Sequence, residues 1–172
     1  MEERVILVGP EDEEIGTAAK LEAHTSGALH RAFSVFVLNG RGEILLQLRA
    51  IGKYHCGGLW SNSCCGHPRP SEETRAAATR RLAEEMGFAC ELRHLFAFTY
   101  RVELGAGLWE HEIDHVFIGH HDDAPQPDPL EVSEWRWLAP DALQAEMASD
   151  PDRFTPWLAP ALSGLMRILG GE

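Results

Sequence analysis

GHPRPSEETRAAATRRLAEEMGF, residues Gly66 to Phe88, is the stretch from which the fold can be read. Its second part, Ser71 to Met86, carries the marks of a helix. Ser71 is a candidate N-cap, Glu72 and Glu73 suit the positive end of the helix dipole, and Gly87 suits the C-terminal stop. Ala78, Leu82 and Met86 recur every fourth residue and form an apolar stripe, with charges elsewhere. Arg80 and Arg81 stand one turn before Glu84 and Glu85, so guanidinium groups and carboxylates share a face. A row of helical carboxylates can hold magnesium, which in turn holds a diphosphate.

Outward from this helix the chain alternates β-rich runs with turns. Phe33 to Leu38 (FSVFVL) and Glu43 to Leu48 (EILLQL) flank Asn39-Gly40-Arg41-Gly42, a hairpin signal. Further strands are expected at Leu95 to Val102, Ile113 to Gly119 and Trp135 to Leu138, with Ala124 to Pro129 a proline-rich surface loop. The tail reads as two short helices. One lies near Asp141 to Met147; the other opens at Thr155-Pro156, or later, because Pro160 removes a backbone bond from a helix interior. Strands mixed with helices predict an α/β sandwich.

The chain has 172 residues, with 44% hydrophobic and 24% charged, values of one globular domain rather than two. No run approaches the ~20 apolar residues that span a bilayer, and the acidic start MEERVILVGPEDEE is no secretory leader. The expectation is a cytoplasmic protein with no membrane partner. A net charge of -12 argues against nucleic acid. An anionic substrate must be caught by a few local Lys and Arg residues against that field. The four cysteines, Cys56, Cys64, Cys65 and Cys90, point to metal binding or catalysis rather than disulfides in such a chain.

Gly66, Glu72, Arg80, Leu82, Glu84, Glu85, Gly87 and Phe88 match the spacing of the Nudix box, G-x5-E-x7-R-E-U-x-E-E-x-G-U, where U is bulky and apolar. The stretch resembles that box, which implies an α/β/α sandwich around a mixed sheet. One position departs from it: Arg81 stands where Nudix hydrolases carry a metal-binding glutamate. A cation in place of a ligand removes one hydrolytic magnesium site.

Departure included, the chain resembles the type 1 isopentenyl diphosphate isomerases of the Nudix superfamily. The resemblance runs from Lys20 to Trp157 through LEAHTSGALHRAFSVFV, LLQLRAIGK, LWSNSCCGHP, the box, YRVELGAGLWEHE and TPW. It implies one domain over residues 1–172, with a core of about 30–140, an N-terminal segment for the metal site and a helical tail. It implies that His24, His30, His67, Glu110 and Glu112 ligate one divalent metal. Three imidazoles and two carboxylates suit five- or six-coordinate Mn²⁺ or Mg²⁺ better than tetrahedral Zn²⁺, with zinc a further candidate. If residues 110 to 113 are extended, alternation puts both carboxylates on one face and His111 on the other. Taken alone, each histidine is an ordinary hydrogen-bonded side chain, and His55, His94, His111, His115, His120 and His121 keep that reading.

The implied reaction moves a double bond of an isoprenoid diphosphate by one carbon. One proton is added and another removed, so two titratable groups must face the substrate in a dry pocket. The resemblance gives these roles to Cys65 and Glu112, leaving open which is acid and which base, with Tyr100 hydrogen-bonding near Glu112. A thiol of ordinary pKa about 8.5 can be tuned toward neutrality by nearby positive charge. Trp157 is implied over the cationic carbon. Trp60, Trp109, Trp135 and Trp137, and Cys64, Cys56 and Cys90, are taken as packing residues. Lys20, Arg49, Lys53 and Arg81 correspond to phosphate-contacting positions, and Glu85 to the ligand of a Mg²⁺ bridging the diphosphate. A nucleotide-cleaving Nudix hydrolase and a non-catalytic metal-binding protein are the alternatives. The first needs the missing glutamate, and the second leaves the basic residues beside Glu85 unexplained. A monomer or weak homodimer is expected.

Overall fold

The structure, a computed structural model, describes residues 1–171. A mixed sheet of nine strands is covered by a helix on one face and two on the other. The strands are β1 (Arg4–Val8), β2 (Glu14–Ala19), β3 (His30–Leu38), β4 (Ile44–Arg49), β5 (Trp60–Ser61), β6 (Cys64–Gly66), β7 (Arg93–Gly105), β8 (Leu108–His120) and β9 (Val132–Leu138). The helices are α1 (Lys20–Ser26), α2 (Thr74–Met86), α3 (Pro140–Ser149) and α4 (Leu158–Leu169).

Alternation along the central strands divides the core in two. Phe33, Val35 and Val37 of β3, Leu45 of β4 and Phe117 of β8 pack with Ala77, Ala78, Leu82 and Met86 of α2. Phe36 and Leu38, Ile44 and Leu46, and Val116 and Ile118 pack the other way, against Leu143 of α3 and Leu158, Ala161, Leu162 and Leu165 of α4. The apolar stripe expected on α2 is fully buried at Ala78, Leu82 and Met86, and the α/β/α sandwich is the observed architecture.

Two local expectations are corrected. Ser71 does not cap α2: the helix starts at Thr74, and the Glu73 carboxylate accepts from the Ala76 amide. Glu72 stays outside the helix because its carboxylate receives Arg80 Nε and Nη2 at 2.8 and 2.9 Å and the Arg69 amide at 2.8 Å. The Asn39–Gly42 turn makes a corner rather than a hairpin, since β3 and β4 pair only at Leu38 and Ile44. Beyond it β3 runs parallel to β8, while β4 pairs with β9, because each buries both faces inside the sheet. The last helix takes the later of its two expected starts, at Leu158. That puts Pro160 in its first turn, where a missing N–H costs nothing.

The N-terminal hairpin β1–β2 and helix α1 have no counterpart among the expected elements. Gly27 closes α1 in the left-handed conformation (φ 73°) and turns the chain into β3, which places His24 and His30 on either side of the bend. Among the described residues no helix is long and apolar enough to cross a membrane.

Candidate active site

One face of β8 changes character along its length. Val116 and Ile118 sit under α4, and toward the other end the same face carries Asp114, Glu112 and Glu110, all buried. His111, on the opposite face, gives its ring nitrogen Nδ1 to the Gly27 carbonyl at 2.9 Å, as alternation requires. Parallel pairing sets His30 beside Glu112, and antiparallel pairing sets Tyr100 of β7 on its other side. The Tyr100 hydroxyl donates to Glu112 Oε2 at 2.7 Å.

His24, His30, His67, Glu110 and Glu112 converge, each offering one ligand atom within 4.8 Å of the others. Their donor geometry fits a cation. The Nδ1–H groups of His24 and His30 donate to the carbonyls of Lys20 and Ala28 at 2.6 and 2.9 Å. Each ring therefore turns Nε2 toward a carboxylate: His24 to Glu110 Oε2 at 3.4 Å, and His30 to Glu112 Oε1 at 3.2 Å. Such a pair of acceptors is favourable only when a proton or a metal ion is shared between them. His24 Nε2 and Glu110 Oε2 are buried without hydrogen-bond partners, which fits the metal rather than the proton. His67 Nε2 completes the group, 2.9 Å from Glu112 Oε1.

Electrostatics follow from burial and crowding. Burial and the charge of Glu112 push the Glu110 carboxyl up to about 8. Burial opposes ionisation of Glu112 too, yet the contacts from His30 and His67 outweigh it and hold that carboxyl well below its ordinary value. The two shifts are opposite because adjacent carboxylates ionise in turn, the better-solvated by donors first. Burial drives His67 down to about 3, a neutral ligand-ready imidazole. Burial lowers His24 as well, but Glu110 and the Lys20 carbonyl leave it raised on balance.

Across the same cavity, of about 780 Å³, lie Cys65, Arg49, Lys53, Lys20, Arg81, Glu85 and Trp157. Register explains the cysteine: β6 pairs Cys65 with Ser34, turning its thiol to the cavity and that of Cys64 into the α2 core. Arg49 Nη1 lies 3.5 Å from Cys65 Sγ. This cation does not by itself bring the thiol to neutrality. Burial is the larger effect and Glu85 adds to it, so the Cys65 thiol is pushed up to about 12.

Trp157 precedes α4 and is 4% exposed, its indole N–H donating to Asn62 Oδ1 at 3.2 Å. The Arg49 guanidinium stands 5.5 Å from its ring centre. The preceding Thr155 is pinned by its amide to the Trp60 carbonyl at 2.9 Å, which fixes the tryptophan over the cavity. Glu85 of α2 is fully buried, held by Arg81 Nη2 at 2.6 Å and Gln47 Nε2 at 2.9 Å, with Lys53 Nζ at 3.5 Å. Lys20 pairs with Glu3 at 3.1 Å. Every residue singled out from the sequence thus lines this cavity or, for His24 and His30, the buried metal-ligand group behind it.

The Nudix domain family matches residues 28–158. An isopentenyl-diphosphate Delta-isomerase 2 of Aromatoleum aromaticum is 51% identical over 173 residues, covering 99% of this chain and 92% of its own. The chain belongs to the isopentenyl-diphosphate Delta-isomerase family. An isopentenyl-diphosphate Delta-isomerase of Burkholderia multivorans is 53% identical over 157 residues, 91% of this chain and 89% of its own. Among solved structures, a Deinococcus radiodurans protein superposes with a TM-score of 0.70 at 22% identity, covering 86% of this chain and 90% of that one. A MutT NUDIX hydrolase of Burkholderia pseudomallei superposes with a TM-score of 0.63 at 23% identity, over 79% and 97%. At those identities the likeness is one of fold.

Within this family frame three neighbours of the site escaped sequence reading. His55, taken as an ordinary side chain, places Nε2 2.9 Å from Glu110 Oε1. Asp114 receives the Ser34 hydroxyl at 2.7 Å and lines the cavity. Glu131 pairs with Arg81 at 3.3 Å and with Lys53. Alternation from Glu112 could have found Asp114. His55 shares a Gly-bounded loop with Lys53, and nothing in the sequence foreshadows Glu131.

Proposed function

We propose that this protein interconverts isopentenyl diphosphate and dimethylallyl diphosphate, in the cytoplasm, through protonation and deprotonation by Cys65 and Glu112. The observation that carries the reading is a thiol and a carboxylate opening onto one cavity whose walls also hold Lys20, Arg49, Lys53, Arg81 and an indole. Lys20, Arg49, Lys53 and Arg81 bind the diphosphate, so that the hydrocarbon end reaches inward between Cys65 and Glu112. A thiol that burial keeps protonated can hand its proton to an alkene carbon, and Arg49 at 3.5 Å then steadies the thiolate. Tyr100 orients the Glu112 carboxylate, which exchanges the second proton. Trp157 presents an aromatic face to the tertiary cation, worth about 1–2 kcal/mol when water is excluded.

His24, His30, His67, Glu110 and Glu112 would hold Mn²⁺, Mg²⁺ or Zn²⁺, and Glu85 would hold a Mg²⁺ shared with the diphosphate. When bound, these ions supply positive charge that keeps the carboxylates ionised and offsets the phosphate charge. Arg81, where hydrolases place a carboxylate, supports isomerisation over hydrolysis.

Incubation with isopentenyl diphosphate and Mg²⁺ in deuterated water, followed by NMR, tests the proposal. Dimethylallyl diphosphate carrying deuterium in a new methyl group is expected. Released phosphate, or unchanged substrate, would overturn it.

A further inference from the structure

The loop between β4 and β5 carries Lys53, Tyr54 and His55, and it is tightly folded. Gly58 adopts φ 79° and Cys56 φ 54°, while the Gly58 amide donates to the Arg49 carbonyl at 2.8 Å. Arg49 Nη2 in turn donates to the His55 carbonyl at 3.3 Å, so the residue is pinned by its backbone as well as by its ring. That ring lies outside the five-residue ligand group yet touches one of its members.

Glu110 is 1% exposed, so both carboxylate oxygens need partners inside the protein. Oε2 faces His24 at 3.4 Å, within the ligand group; Oε1 faces His55 Nε2 at 2.9 Å. An ionised ligand carboxylate only accepts, so this approach is favourable with the ring proton on Nε2 and Nδ1 as a bare acceptor. His55 Nδ1 is indeed buried without a partner, the cheaper of the two ring atoms to leave so.

We infer that His55 is a positioning residue: it holds Glu110 Oε1, leaving Oε2 for the metal, and ties the Lys53 loop to the metal group. The inference rests on the metal reading given above. Through this loop the two ends of the cavity communicate, since Lys53 reaches Glu85 at 3.5 Å while His55, two residues on, holds Glu110.

The test uses the full-length protein stripped of metal, with His55→Ala and His55→Gln, titrated calorimetrically with Mn²⁺ alone. Partners that orient a metal ligand are worth roughly 10–100-fold in metal affinity. His55→Ala is expected to weaken Mn²⁺ binding by that factor, and His55→Gln, whose amide N–H can still donate, to recover most of it. At saturating Mn²⁺, the KM for isopentenyl diphosphate should rise in His55→Ala and return in His55→Gln. Equal Mn²⁺ affinity in His55→Ala and the parent overturns the role. Equal losses in both variants overturn it too, because they mark packing rather than hydrogen bonding. An unmoved KM overturns the link to Lys53. A parent protein that fails to bind Mn²⁺ removes the metal reading itself, and the deuterium experiment then judges the isomerase proposal separately.

Discussion

Arg81→Met tests whether the cation in the box holds the site together. The parent guanidinium contacts Glu84 at 2.6 Å, Glu85 at 2.6 Å and Glu131 at 3.3 Å. Glu84 is 42% exposed, so its pair contributes little. Glu85 is fully buried, and without Arg81 it keeps only Gln47 at 2.9 Å and Lys53 at 3.5 Å. Stranding a buried charge costs about 3–5 kcal/mol when no partner remains. With two remaining partners we expect about 2–3 kcal/mol, since methionine preserves the packing of the stem. In a chain of this length each kcal/mol moves Tm by about 2–4 °C, so Tm should fall by roughly 4–12 °C in EDTA. Mg²⁺ should raise Tm more in the variant than in the parent, because Glu84, Glu85 and Glu131 have then lost the one cation they share. Circular dichroism melts of both proteins, with and without Mg²⁺, read the effect. An unchanged Tm in EDTA would refute the reasoning, showing that the desolvation of Arg81 cancels its attraction.

Cys65→Ala should reduce turnover by at least about 10²–10⁴, the usual contribution of a positioned proton donor, while Mn²⁺ affinity stays within error. Residual isomerisation near the parent rate, followed by NMR, would remove Cys65 from the chemistry. Tyr100→Phe deletes a hydrogen bond to a charged group, worth about 1.5–3 kcal/mol, so kcat should drop by about 10–150-fold with KM little changed. An unaltered kcat would show that Glu112 is oriented without the phenol. Burial raises Glu131 and Glu84, but Lys53 and Arg81 at the first, and Arg81 and Arg80 at the second, more than offset this, leaving both below the carboxylate value of 4.5. The unfolded chain thus binds more protons there, so this stability is present above pH 4.5 and lost as pH falls below it. Arg81→Met should therefore flatten the decline of Tm with acid, and parallel declines in parent and variant would contradict the assignment.

The sequence by itself determined the helix of the box, its buried stripe at Ala78, Leu82 and Met86, and the central strands, because each rests on periodicity within a few residues. It also placed the Glu110 and Glu112 carboxylates on one face, since alternation along a strand is a local property. The helix starts at Thr74 rather than beside Ser71 because Arg80, eight residues beyond Glu72, competes for the carboxylate. The Asn39–Gly42 turn looked like a hairpin because strand partners are chosen by distant segments, here β8 and β9. Tertiary structure alone decided how far burial raises the Cys65 thiol, because desolvation depends on everything packed around the sulfur. It alone brought His55 to Glu110, 55 residues away along the chain, and Glu131 to Arg81. Such contacts depend on where loops return in space, and no pattern short of the whole fold records that.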